Sequence, residues 1–228
     1  MQLKGKTMRS SYHEELNVVM GQLVEMATLV ETAMEKASDA LLNCDLGEAE
    51  AVISDDDQLD RMHEELEYKC LSLLMLQAPV AGELRIVVSA IRVVFELARM
   101  GDLAAHVAKI ARLRYPNEAL PADLKDNFQK MADISIEMID VARHTLATQD
   151  ADKAKTLAEI DTKMDQLRRD HFNVILDDSW SGTIEEAVDV ALLGRYFERF
   201  ADHAVAVGRR TIYLATGEVP EGEDWPNA

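Results

Sequence analysis

Three pairs of acids stand four residues apart: Asp56 and Asp60, Asp161 and Asp165, and Glu198 and Asp202. On a helix that spacing puts both carboxylates on one face, where like charges repel by roughly a few tenths of a kcal/mol. One such pair reads as an exposed, solvated stripe. Here the pattern recurs. Asp56 and Asp161 are 105 residues apart, as are Asp60 and Asp165, while Asp102 and Asp202 are 100 apart. Acids that face each other from two helices need something positive between them. All-oxygen donors favour a hard cation such as Mg²⁺, Mn²⁺, Ca²⁺ or iron. His106, four after Asp102, and His63, three after Asp60, could join and tilt the choice toward a transition metal. The alternative is that each histidine is a surface or partly packed ring.

The elements that must position these acids are helices. Val93, Leu97, Met100, Ala104, Val107 and Ala111 alternate spacings of four and three, and Leu193, Phe197, Phe200, Ala204, Val207 and Thr211 repeat them 100 residues later. Each copy is an amphipathic helix with an apolar seam. Leu16, Val19, Leu23, Met26, Val30, Ala33 and Ala37 form such a seam in a first helix, expected to open on the capping box Ser11–Glu14. Asp45 and Asp150 are placed to cap a second and a fifth helix, the second stopping at Gln77-Ala78-Pro79. A third helix is expected over 81–114 and a fourth over 122–148. A sixth opens on the capping box Thr183–Glu186. The missing five residues of the second copy belong in the loop facing Pro79.

The predicted fold is therefore all-α, two pseudo-symmetric antiparallel three-helix bundles of six helices in all. The first covers 9–116 and the second 117–216, with 217–228 a disordered acidic tail. Met20, Met26, Met34, Met131, Met138 and Met164 fit as core filler.

Composition narrows the function. Lys+Arg 24 against Asp+Glu 42 leaves a net charge of −18, which repels nucleic acid and attracts cations and basic protein surfaces. Cys44 and Cys70 form neither a zinc-ligand pattern nor a disulfide framework, so reduced thiols in a cytoplasmic chain are expected. Residues 1–9 are basic but no apolar stretch follows, so no signal peptide is expected, and Met8 is a second candidate start. No apolar run is long enough to cross a membrane. No nucleophile elbow, P-loop or dinucleotide fingerprint is present. A carboxylate di-metal oxidase of the ferritin-like class would need paired Glu-x-x-His motifs, and no Glu stands three before any histidine. A metal-free helical scaffold is the other alternative. Arg85, Arg92, Arg99, Arg195 and Arg199 are candidate partners for the acids.

The chain resembles the PhoU family of phosphate-specific transport accessory proteins. FERFADHAV (197–205) is similar to that family's repeated E-x-x-x-D signature. Pro79, Ala81, Leu84, Arg85, Gly101 and Asp102 fit its P-x-A-x-D-L-R … G-D motif, and VISDDDQLD its acidic second-helix motif. The resemblance implies a non-enzymatic cytoplasmic regulator that acts with the phosphate ABC transporter and a sensor histidine kinase. Contact with the membrane would come through those partners, and monomer and homodimer both stay open. It also implies multinuclear iron or zinc bound by the acids, with Asp161, Asp165, Glu198 and Asp202 in one half and Asp56, Asp60 and Asp102 in the other. The first copy departs from the pattern at Ala98, where the family has glutamate, though Glu96 stands nearby. His106 replaces the usual asparagine.

Overall fold

A computed structural model describes the backbone of residues 3–218 and 220, with side chains from Tyr12 onward apart from Gln77. The helices are α1 (Leu3–Asn43), α2 (Leu46–Gln77), α3 (Gly82–Arg114), α4 (Lys125–Thr148), α5 (Ala151–Leu176) and α6 (Ile184–Thr216). A 3-10 turn, Ala122–Leu124, leads into α4. Among the described residues there is no strand.

The starts follow from side chains that satisfy orphan backbone donors. Asp45 accepts from the Glu48 N–H at 3.1 Å, and Asp150 from the Lys153 N–H at 2.9 Å. Thr183 and Glu186 cap each other reciprocally at the start of α6. One start differs from expectation. The α1 backbone is already helical at Leu3, eight residues before Ser11, whose side chain lies outside the described residues. The stretch before Ser11 holds no proline, and the single Gly5 costs a helix only about 1 kcal/mol, too little to end it. The tail expected over 217–228 begins at Gly217, whose positive φ of 80° closes α6. Val219 and residues 221–228 lie outside the described residues.

Helices α1, α2 and α3 pack on one another, as do α4, α5 and α6, and the two triplets meet where α1 touches α4 and α3 touches α6. The α3–α6 pairing is antiparallel along its whole length. Arg85 lies over the Tyr213 ring at one end, Glu96 meets His203 and His106 meets Tyr196 in the middle, and Arg114 meets Asp189 at the other end. Met100 and Phe200, the midpoints of the two copies, are both fully buried. A pseudo-twofold therefore relates the halves, and α2 and α5 lie on the outside. The core is continuous across both triplets, and five of the six seam methionines are buried in it, Met20 packing at its edge.

The two cores are not copies in detail. Leu66 and Val94 of the first half, both fully buried, correspond in position to His171 and Gly194 of the second. The His171 ring stacks between Phe128 and Phe172, and a Cβ on Gly194 would stand 2.0 Å from its Cε1. Glycine is needed here for the close approach of the ring. Neither ring nitrogen has a hydrogen-bond partner, and the nearby Leu167 carbonyl is taken by the Asn127 amide at 3.1 Å. Burial first, then the Arg168 charge, lowers the His171 pKa from 6.5 to about 4.

Gly194→Ala is expected to destabilise the chain by about 1–3 kcal/mol in urea unfolding, because the ring cannot retreat in a filled core. A buried base with a depressed pKa binds fewer protons folded than unfolded. Its contribution is therefore lost as pH falls from 6.5 toward about 4. His171→Leu, the residue of the matching place, is expected to remove that contribution, so that the stability of the variant relative to the parent grows as pH falls through this range.

Candidate functional site

The acids of the second half lie on facing sides of α5 and α6. Asp161 and Asp165 are one turn apart on α5, and Glu198 and Asp202 one turn apart on α6. Burial above all, then the charges of Asp202, Asp165 and Glu198, pushes the Asp161 carboxyl from 3.8 up to about 7. Asp202 is also pushed up, by burial and then by Glu198, with Arg195 and His203 pulling the other way and Asp165 adding to the rise. Asp161 feels Asp202 and Glu198 across the helix–helix gap, and Asp202 feels Asp165, so the two pairs face one another.

Two arginines are built into that face. Arg168 Nη1 donates to Glu198 Oε1 at 2.7 Å, and Arg195 Nη1 donates to Glu198 Oε2. Glu198 is buried, so this double guanidinium clamp offsets the cost of desolvating its charge. Asp161 is different. It is 4% exposed, and its Oδ1 is buried with no hydrogen-bond partner.

The first half brings its acids together in the same way. Burial and then the Asp102 charge push the Asp56 carboxyl up, Lys109 and His106 pull it down, and Asp60 pushes it up again. Asp56 and Asp60 on α2 thus face Asp102, His106 and Lys109 on α3. Arg99 Nη1 donates to Asp102 Oδ2 at 2.9 Å. Beside Asp56, a cavity of about 50 Å³ opens between α1 and α2, lined by Thr32, Lys36, Asp55 and Gly101 among others.

The arginine clamp has no counterpart there. The places of Arg168, Arg195 and Glu198 are held by His63, Phe95 and Ala98. His63 and Phe95 meet edge to face with ring centres 4.9 Å apart, so a charged triad in one half is an aromatic contact in the other. His63 therefore packs rather than joining the acids. His106 does both, touching the Tyr196 ring at 5.1 Å and adding charge near Asp56. Glu96 is committed elsewhere. Its Oε2 lies 2.7 Å from His203 Nδ1 across the α3–α6 seam.

Arg168 was not singled out among the candidate partners, though it stands seven after Asp161 and so on the same stripe. Arg114 was missed for another reason. It bridges the bundles to Asp189 and Glu185 of α6, which nothing in the local pattern of α3 reveals.

The donor chemistry, carboxylate oxygen throughout, suits a hard cation, and the unpartnered Asp161 oxygen leaves a lone pair to be satisfied. The geometry is less complete. Among the described residues no three acid, histidine or cysteine groups form a set able to hold one metal ion. Glu198, with both oxygens held by guanidinium groups, would have to release one to bind a metal.

A family model for the PhoU domain matches residues 23–111 and 128–211, and each matched stretch contains one set of these acids. The chain belongs to the PhoU family. It is 44% identical over 217 residues to the phosphate-specific transport system accessory protein PhoU homolog 1 of Mycobacterium tuberculosis, covering 95% of this chain and 98% of that one. To PhoU homolog 2 of the same organism it is 46% identical over 213 residues, covering 93% and 100%. The PhoU homolog of Aquifex aeolicus is 34% identical, with 90% and 93% covered. The PhoU crystal structure from Pseudomonas aeruginosa superposes with a TM-score of 0.83 at 28% identity, covering 91% of this chain and all, 100%, of that one. The phosphate transport system regulatory protein PhoU from Streptococcus pneumoniae gives 0.82 at 26% identity, with 92% and 99% covered.

Asp161 supplies a test of the acidic face that needs no ligand. A buried acid with a raised pKa keeps its proton longer folded than unfolded, so in chelator-treated protein the contribution of Asp161 is lost as pH rises from 3.8 to about 7, against the opposite slope from His171. A tenfold difference in proton affinity between the folded and unfolded chain corresponds to about 1.4 kcal/mol. Asp161→Asn is expected to remove the Asp161 contribution to the slope and to raise the melting temperature at pH 8. An unchanged slope would mean that Asp161 is solvated.

Proposed function

We propose that this chain regulates phosphate uptake and phosphate-starvation signalling from the cytoplasmic side. It does so by binding a phosphate ABC transporter and a sensor histidine kinase rather than by turnover. Membership of a family whose relatives carry the name of transport accessory protein supports the first half of this reading. The observation that carries the second is the pair of acidic faces, one on α2 and α3 and one on α5 and α6, related by the pseudo-twofold. Two like faces suit a protein that presents docking surfaces.

In this reading Asp161, Asp165 and Asp202 take a hard or transition metal, Mg, Mn, Fe or Zn, with Glu198 joining when an arginine lets go. Asp56, Asp60 and Asp102, with His106, form the weaker counterpart. A cation there would lift the mutual repulsion of the acids and change the charge offered to a partner. Such a change acts as a switch only where the partner binds the two states unequally. The Arg168–Glu198–Arg195 clamp favours a second reading, a scaffold whose acids are satisfied internally and bind no metal.

Metal content separates the two. Asp202→Ala and Asp165→Ala are expected to cut the metal retained by purified protein, measured by mass spectrometry before and after chelation, while shifting the melting temperature by only a few degrees. Stoichiometric metal absent from the parent chain would leave the scaffold. A pull-down from cells grown in high and low phosphate, with metal measured on the same sample, tests the partners. Equal capture of transporter and kinase in both conditions would count against the regulatory reading.

A further inference from the structure

At one end of the α3–α6 seam the charge reverses sign. Arg85, Ser89 and Arg92 follow one another at helical spacing along α3, while Arg209, Arg210 and Tyr213 run along α6, and the antiparallel register brings the two strips together. The Arg85 guanidinium carbon lies 5.9 Å from the centre of the Tyr213 ring, and the same side chain fills the space where Gly217 lacks a Cβ. A chain of net charge −18 thus gathers four arginines on one short stretch of seam.

Three of these arginines are not spent on acids as others are. Arg99, Arg114, Arg143, Arg168 and Arg195 each hold a carboxylate. Among the described residues Arg85, Arg92 and Arg210 form no ion pair within 4.0 Å. Glu96, the acid whose charge acts on Arg210, is already engaged by His203 at 2.7 Å. Two further donors are left over. Among the described residues the Ser89 hydroxyl, on a residue 1% exposed, has no hydrogen-bond partner, and neither does the buried Arg85 Nε. Buried donors without acceptors are costly enough that they point to something not yet bound.

The pseudo-symmetric end of the same seam shows what a closed arrangement looks like. There the places of Arg85, Ser89 and Arg92 are taken by Glu185, Asp189 and Leu192. Arg114 donates to both acids, with Nη2 at 3.1 Å from Asp189 Oδ1. The duplicated frame therefore holds two acids closed by one arginine at one end and, among the described residues, Arg85, Arg92 and Arg210 without an ion pair at the other.

We propose that the cationic end is a binding site for a phosphate-type oxyanion, held by Arg92 and Arg210, with Arg85 and the Ser89 hydroxyl completing the donor set. Planar guanidinium groups match the oxygens of a tetrahedral dianion by paired hydrogen bonds. Burial, then the Arg92 and Arg209 charges, lowers the Arg210 pKa, with Glu96 opposing, which marks a site where an added anion is favoured. The choice of a phosphate group over other anions rests on the regulatory reading above. Two sources share that chemistry: free inorganic phosphate, and the headgroup of an acidic membrane lipid. The exposed Val80, Leu84 and Val88 beside the cluster would suit the second.

The test titrates the full chain with inorganic phosphate by calorimetry at constant ionic strength. In parallel, it is sedimented with vesicles of phosphatidic acid in phosphatidylcholine. Arg92→Gln and Arg210→Gln are each expected to weaken binding at least tenfold, and Arg112→Gln, exposed at the far end of α3, to leave it unchanged. Arg92 is exposed, so its variant should keep the parent circular dichroism spectrum and remain interpretable if Arg210→Gln does not fold. Saturable binding in solution assigns the free anion. Binding only to vesicles, lost in the arginine variants, assigns the headgroup. No binding in either arm, or binding untouched by Arg92→Gln, overturns the site. Such a failure leaves the regulatory reading standing, since that reading is judged by capture of transporter and kinase.

Discussion

The antiparallel contact of α3 with α6 is the constraint on which the rest of the molecule depends. Each helix carries an apolar stripe of the same spacing, and laying one against the other in reverse direction generates the pseudo-twofold in a single step. Gly101, Ala104 and Ala108 on α3, and Ala201, Ala204 and Gly208 on α6, keep those helices slim where neighbours approach. Leu59 of α2 lies so close to Gly101 that a Cβ there would stand 2.7 Å from its Cδ1. Once the central pair is set, α1 and α4 close one side and α2 and α5 are left on the outside. The outer position of α2 and α5 leaves Asp56, Asp60 and Asp165 in reach of solvent, while Asp161 is buried.

Duplication explains why the acids recur, and divergence explains why the halves are not interchangeable. The second half buries Glu198 between two arginines, while the first puts Ala98 there and fills the space with His63 and Phe95. The core shows a similar exchange, His171 over Gly194 replacing Leu66 beside Val94. In each case a change on one helix is matched by a change on its neighbour. That is what close packing requires, because a lone substitution leaves either a void or a clash.

Much of this was legible before any coordinates. Asp45, Asp150 and the Thr183–Glu186 box mark helix starts because capping is a local transaction between a side chain and backbone donors three residues away. The convergence of Asp161 and Asp165 with Glu198 and Asp202 was legible for another reason: two copies with the same offsets are unlike a random scatter of surface charge. The start of α1 was not, since Ser11 carries a good capping signal within a stretch that is helical anyway. Glu96 misled in a similar way. It stands near Ala98, where the family has glutamate, but its carboxylate lies against His203 across the α3–α6 seam.

Residue order alone determined six helices, the caps of α2, α5 and α6, the apolar stripes and the twofold repetition, because each of these depends on neighbours within one or two turns or on a comparison of the chain with itself. Tertiary structure alone decided which charges are spent. Arg168 and Arg195 silence Glu198, Arg114 silences Asp189, and among the described residues Asp161 keeps an unpartnered oxygen and Arg92 and Arg210 form no ion pair. Whether a charge is paired depends on what lies across a helix–helix gap, tens of residues away in the chain, and periodicity carries no information about that.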